Sequence, residues 1–113
     1  MVVVSLAAAT ICFLNSCYPA LVGHSTPQGS FLLQVRETAQ AGYGGDVLQF
    51  LDTGAEVYAV HRVWLLRPSQ RRAERLAGND PGRRLITSGC INVSPDVYEK
   101  LKKCCVTATL IIQ

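Results

Sequence analysis

Cys90 stands in the run TSGCINV, Thr87 to Val93, where a glycine precedes the thiol and an apolar segment follows it. A thiol so placed is a candidate nucleophile if a base can take its proton, because the thiolate is the reactive species. The chain holds two imidazoles, His24 and His61, and His61 lies in VYAVHRVW, a run with the residue types of a strand. The pairing of Cys90 with His61 would give an activated thiolate as an ion pair near neutral pH, with His24 as the second candidate base. Backbone N–H groups at Gly89 and Cys90, or the Ser88 hydroxyl, are candidates to hold an oxyanion. A Gly-Cys step at a strand end is also ordinary core, since cysteine is among the most buried residue types.

Upstream, His24 to Phe31 reads HSTPQGSF, a turn-rich loop in which Pro27 fixes φ and Gly29 is free to take a positive one. A TP-x-G-x-F segment, then a strand ending in histidine, then Thr-x-Gly-Cys with an aliphatic residue after it, in that order, resembles the catalytic domain of the L,D-transpeptidase (YkuD-type) family. The resemblance rests on Thr26, Pro27, Gly29, Phe31, His61, Gly89 and Cys90, and runs from about Tyr18 to Leu101. Arg62, Ser88 and Asn92 depart from the family's most common residues.

The resemblance implies a mainly β fold, an L,D-transpeptidase-like β-sandwich or partly closed barrel with two short helices, forming one catalytic domain over residues 1–113. It implies acyl transfer from peptidoglycan tetrapeptide stems through an acyl-enzyme on Cys90, with His61 as base and no cofactor or metal. Cys90, His61, Gly89 and Ser88 would be catalytic. Thr87, Arg83, Arg84, Asn92, Tyr43 and His24 are the candidate substrate contacts, with Arg62, Arg83 or Arg84 supplying positive charge to the stem's carboxylates. The cell envelope, or secretion, is the implied location.

The 113 residues, 49% apolar and 17% charged, suit one ordered core. Six of the eleven basic residues, Arg67, Arg71, Arg72, Arg75, Arg83 and Arg84, crowd one stretch against only Glu74 and Asp80, which reads as a solvated helix face or an attraction for anions. No aromatic platform or known binding motif accompanies them, so nucleic acid is not expected. Of five cysteines, one is left over if the others pair, and Cys90 is the choice for it; a link from Cys12 or Cys17 to Cys104 or Cys105 is conceivable, but spacing does not fix connectivity. The absence of CxxC spacing argues against a zinc site.

The elements that must position these groups follow from punctuation. The apolar start, MVVVSLAAATICFLNSC, has β-branched clusters and no leading basic residue, so it reads as strands over Val2–Leu6 and Thr10–Leu14, not as a leader. No segment reaches eighteen consecutive apolar residues, and stable membrane insertion is not expected. Further strands are expected over Phe31–Val35, Val47–Leu51, Val57–Leu66, Arg84–Ile86 and Val106–Ile112. One helix is expected from Pro68-Ser69 to Leu76. A second begins at Ser94-Pro95-Asp96 with serine as N-cap, its apolar face made by Val97, Leu101 and Cys104. Tyr58 and Trp64 read as core, and Tyr43, flanked by glycines, as a groove wall. A secreted antibacterial effector with the same dyad is a variant of the leading reading. A catalytically inert envelope-binding module with the same fold is the alternative.

Overall fold

Alternation of apolar and polar side chains builds two β-sheets that share one core. The computed structural model describes residues 1–113. Strands β1 (Val2–Ser5), β2 (Thr10–Phe13), β3 (Ser16–Pro19), β4 (Gly29–Leu32) and β9 (Thr109–Ile112) form one sheet, in the order β3-β2-β1-β9-β4. The other sheet comprises β5 (Gln34–Glu37), β6 (Asp46–Asp52), β7 (Val57–Arg62) and β8 (Ile91–Val93), in that order. Val2, Val4, Ile11, Phe13, Leu110 and Ile112 point inward from the first sheet at period two; Leu48, Phe50, Val60, Ile91 and Val93 answer from the second. Neither sheet closes, so the architecture is the open sandwich of the two expected forms.

The chain's start is strand, as its β-branched composition requires. Asn15 and Leu14 both take positive φ, 65° and 51°, the two-residue hairpin geometry that matches strand twist. The hairpin β2–β3 places Cys12 directly opposite Cys17, and these two form a disulfide. Cys104 pairs with its neighbour Cys105, so no bridge links the N-terminal hairpin to the last helix, and Cys90 is the free thiol.

Helix α2 (Pro95–Cys105) begins as the sequence dictates, with Ser94 Oγ accepting from the Val97 N–H at 3.3 Å. Its buried face is Val97, Tyr98, Leu101 and Cys105; Cys104 is exposed, because i, i+4, i+8 stays closer to the stripe than i, i+4, i+7 at this end. The expected arginine-bearing helix is broken in two: a 3-10 turn at Pro68–Gln70, then α1 (Arg72–Ala77). The break is Arg71, whose left-handed φ of 50° ends the turn and restarts the chain in a new direction. Arg84–Ile86 is not a strand; a second 3-10 turn, Pro81–Arg84, feeds a single bridge between Leu85 and Val22. The strand expected to reach Leu66 stops at Arg62, and the one expected from Val106 starts at Thr109.

Candidate active site

Strand alternation alone puts the candidate groups on one surface. Along β7, Tyr58 and Val60 join the core, so Val57, Ala59 and His61 face the opposite side of the sheet. β8 runs parallel to β7 with His61 in register with Asn92, and since Ile91 and Val93 are core, Asn92 and the preceding Cys90 share His61's side. Cys90 and His61 line the same two adjoining cavities, each of about 240 Å³, whose common wall is Gln40 and Tyr43.

The cysteine turn is held from beneath by the TPQG loop. The buried Thr26 hydroxyl accepts from the Gly23 N–H and donates to the Gly89 carbonyl, both at 2.9 Å. Gly89 takes φ +137°, and a Cβ there would lie 2.6 Å from the Tyr58 ring. At Gly23 a Cβ would strike the Thr87 carbonyl at 2.1 Å, so this glycine, which the motif reading passed over, lets the two loops touch. Thr87 shapes the turn itself: its Oγ1 donates to the Cys90 carbonyl at 2.6 Å and accepts from the Gly89 N–H at 3.2 Å. The Gly89 N–H is thereby committed to Thr87, while the exposed Ser88 lines the second cavity beside Thr87 and Cys90.

His61 is 3% exposed and bracketed at both nitrogens. Nδ1 lies 2.6 Å from the Arg62 carbonyl, an acceptor only, so Nδ1 carries the proton. Asn92 Oδ1 accepts from the Trp64 N–H at 3.1 Å and from Arg72 Nη1 at 3.0 Å, which turns its amide nitrogen toward His61 Nε2 at 3.4 Å. Nε2 is therefore the basic nitrogen. Burial, chiefly, with Arg72 adding to it against the Arg62 carbonyl, lowers the imidazole's pKa to about 4.

The thiol is held neutral too. Burial raises the Cys90 pKa above its ordinary value, opposed by the Ala59 N–H and by Arg72. The thiol donates to the Val57 carbonyl at 3.8 Å. The resting site thus holds a neutral thiol and a neutral imidazole on the walls of the same cavities, in place of the ion pair that the sequence suggested, because desolvation penalises both charged forms.

The candidate substrate contacts divide. Tyr43 lines both cavities, its ring edge-on to His61 at 4.7 Å and to Trp64 at 4.8 Å, and Thr87 lines one of them. Asn92 is fully buried and serves to orient His61. Arg84 is 6% exposed and lines neither cavity, its guanidinium donating to the carbonyls of Ala8, Ala9 and Gly78. Exposed Arg83 and His24 line neither cavity. Arg62 points away as well, into an ion-pair cluster with Asp46 and Glu99, stacked on the Tyr98 ring at 4.2 Å. The charge beside the thiol comes instead from Arg72 and Arg67. Neither was singled out, because only the break at Arg71 aims that end of the helix at β8. Trp64, expected in the core, lines the same cavity, since the chain leaves the strand at Arg62.

No protein-family model and no curated protein matches the chain. Solved structures do share its fold. An L,D-transpeptidase from Mycobacterium smegmatis superposes with a TM-score of 0.62 at 20% identity, covering 99% of this chain and 57% of its own. L,D-transpeptidase 1 of Mycobacterium tuberculosis gives 0.55 at 20% identity over 98% of this chain and 57% of its own. The Xylanimonas cellulosilytica L,D-transpeptidase gives 0.62 at 16% identity, over 99% and 59% respectively. The chain therefore has the L,D-transpeptidase fold and spans less than two thirds of the length of these chains.

Proposed function

We propose that this chain is a cysteine-dependent L,D-transpeptidase or L,D-carboxypeptidase acting on peptidoglycan tetrapeptide stems at the cell envelope, as a single catalytic domain. The observation that carries the reading is that the one free thiol and a neutral buried imidazole open onto the same pair of cavities, on a fold shared with L,D-transpeptidases. A neutral imidazole is what a general base must be, and its low pKa keeps it so at neutral pH. The thiol proton passes to His61 Nε2 as the sulfur bonds to the carbonyl carbon of the diamino acid. The tetrahedral adduct collapses, the C–N bond breaks, and the D-alanine amine leaves with the proton from Nε2. A thioester on Cys90 remains. An acceptor amine then gives its proton to Nε2, attacks the thioester and expels the sulfur, which regains the proton; water in place of the amine gives hydrolysis. The Ser88 hydroxyl and the Cys90 N–H are the groups proposed for the oxyanion.

The test is incubation with tetrapeptide stems, following D-alanine loss and any cross-linked product by mass. Release that Cys90→Ala abolishes supports the reading; intact stems with folded protein reject it. The raised thiol pKa favours the alternative, an inert envelope-binding module, to which slow alkylation of Cys90, unaffected by His61→Ala, would point. Toxicity on delivery to the periplasm would mark the effector variant.

A further inference from the structure

The two cavities that meet at Cys90 differ in charge. The first is walled by Val47, Val57 and Ala59, and its one cation, Arg36, is already engaged by Gln49 at 2.8 Å and Asp52 at 3.5 Å. The second holds Arg67 and Arg72, with Ser88 and Gln40 on its walls and no acidic side chain among its lining residues. Unlike Arg36 in the first cavity, Arg67 and Arg72 have no carboxylate partner. Arg72 is half-buried, and only neutral oxygens take its protons: Gln70 Oε1 from Nε at 2.9 Å and Asn92 Oδ1 from Nη1 at 3.0 Å. These two bonds fix the guanidinium while leaving Nη2 without a protein acceptor. A partly desolvated cation with no counter-charge, next to a second cation, is a costly arrangement that an anion relieves. A fixed guanidinium fork is suited to a carboxylate.

We infer that Arg67 and Arg72 form a carboxylate-binding subsite beside the Cys90 thiol, which selects acyl donors that carry a free carboxylate within a few bonds of the scissile carbonyl. That the bound group belongs to a peptide stem rests on the proposed reaction; that the subsite takes a carboxylate does not. Burial, with Arg67 adding to it, lowers the Arg72 pKa, against the pull of Cys90 and Tyr43.

The test uses two alkylating probes of nearly one shape, iodoacetate and iodoacetamide, which differ in charge. Cys90 is the free thiol, so the adduct is read without ambiguity by intact mass. The ratio of iodoacetate to iodoacetamide rates at low salt is expected to fall about threefold or more in Arg67→Gln and in Arg72→Gln, and to move little in Arg83→Gln, which removes one charge outside the cavity. If Arg72→Gln fails to fold, Arg67→Gln alone decides. An unchanged ratio in the folded Arg67→Gln variant, or an equal fall in Arg83→Gln, overturns the subsite. If wild-type protein releases no D-alanine yet the ratio falls as described, the subsite stands and the proposed reaction fails. Where D-alanine is released, stems amidated at the terminal carboxylate should react several-fold more slowly than free acids, and Arg72→Gln should narrow that gap.

Discussion

Asn92 turns its amide nitrogen toward His61 Nε2 at 3.4 Å because its oxygen is already held by the Trp64 N–H and by Arg72. One buried side chain thus fixes three things at once: the His61 tautomer, the end of β7 and the attachment of the arginine segment to β8. The Arg62 carbonyl at 2.6 Å imposes the same tautomer from the other side of the ring. Two constraints with a common outcome hold the ring in one tautomer and one orientation, with Nε2 the unprotonated nitrogen.

Replacing Asn92 with aspartate tests this. A carboxylate beside Nε2 stabilises imidazolium, so the His61 pKa should rise from about 4 by one unit or more. An NMR titration of the ring gives the value directly, and the acid limb of Cys90 alkylation should move with it. A ring that still titrates near 4 would mean that Asn92 does not govern it.

His61 also links stability to pH. Its folded pKa of about 4 lies below its ordinary 6.5, so the unfolded chain binds the extra proton between these values. The contribution is complete above pH 6.5 and is lost as pH falls through 4, an amount on the order of 3 kcal/mol. Asp46 behaves differently. Burial would raise its pKa, but hydrogen bonds from Lys102, Arg62 and Tyr98 outweigh it and the net shift is downward, so its contribution fades only below the ordinary value of 3.8. Urea denaturation at pH 7 and pH 4.5 should therefore show a loss that His61→Gln largely removes.

The fold was readable where local pattern and burial agree. Alternating Val2 and Val4, Ile11 and Phe13, and Leu110 and Ile112 specify strands, and Ser94-Pro95-Asp96 specifies a helix start, because the rules involved act within a few residues. Cys90, His61 and the Thr26 loop were readable as a motif. What distance hides is where charge arrives. Arg83 and Arg84 lie nearer to Cys90 in sequence than Arg72 does, yet Arg84 is spent on the carbonyls of Ala8, Ala9 and Gly78, while one left-handed residue, Arg71, brings Arg72 to Asn92. Protonation was equally hidden. An imidazole and a thiol adjacent in a motif suggest an ion pair, but shielding by Tyr43 and the strands around them favours the neutral forms.

Arg62 ties the Tyr43 loop to Asp46 and to helix α2. Its Nη1 donates to the Tyr43 carbonyl at 3.1 Å and to Asp46 Oδ1 at 3.0 Å, and its Nη2 to Glu99 at 2.6 Å. Arg62→Ala should cost about 2–4 kcal/mol by leaving Asp46 with fewer partners. It should also speed amide exchange in residues 38–45, most clearly at the Thr38 N–H, which donates to the Gly45 carbonyl. Arg62→Lys should restore part of the stability but not the Tyr43 contact, since a lysine offers no fork to span both carbonyl and carboxylate. Exchange confined to wild-type rates in Arg62→Ala would show that the loop is held by other means.

Thr26 and Gly89 position the cysteine turn without touching the thiol, through the hydrogen bond from the Thr26 hydroxyl to the Gly89 carbonyl. Thr26→Val keeps the shape and removes the hydroxyl, which strands the Gly23 N–H and the Gly89 carbonyl in a buried place, at a cost of about 1–3 kcal/mol. Thr26→Ser retains the bridge and should recover most of that loss. Gly89→Ala is the more severe change, since φ +137° is strained for any Cβ and the Tyr58 ring stands 2.6 Å from where it would go. Either the turn flattens or Tyr58 leaves the core edge, and in both events the sulfur moves off the Val57 carbonyl and away from His61. The expected result is a fall of several degrees in melting temperature for Thr26→Val and a larger one for Gly89→Ala. The His61 dependence of Cys90 alkylation should be lost in Gly89→Ala. A Gly89→Ala protein that melts and alkylates as the wild type does would show that the turn carries no positional information.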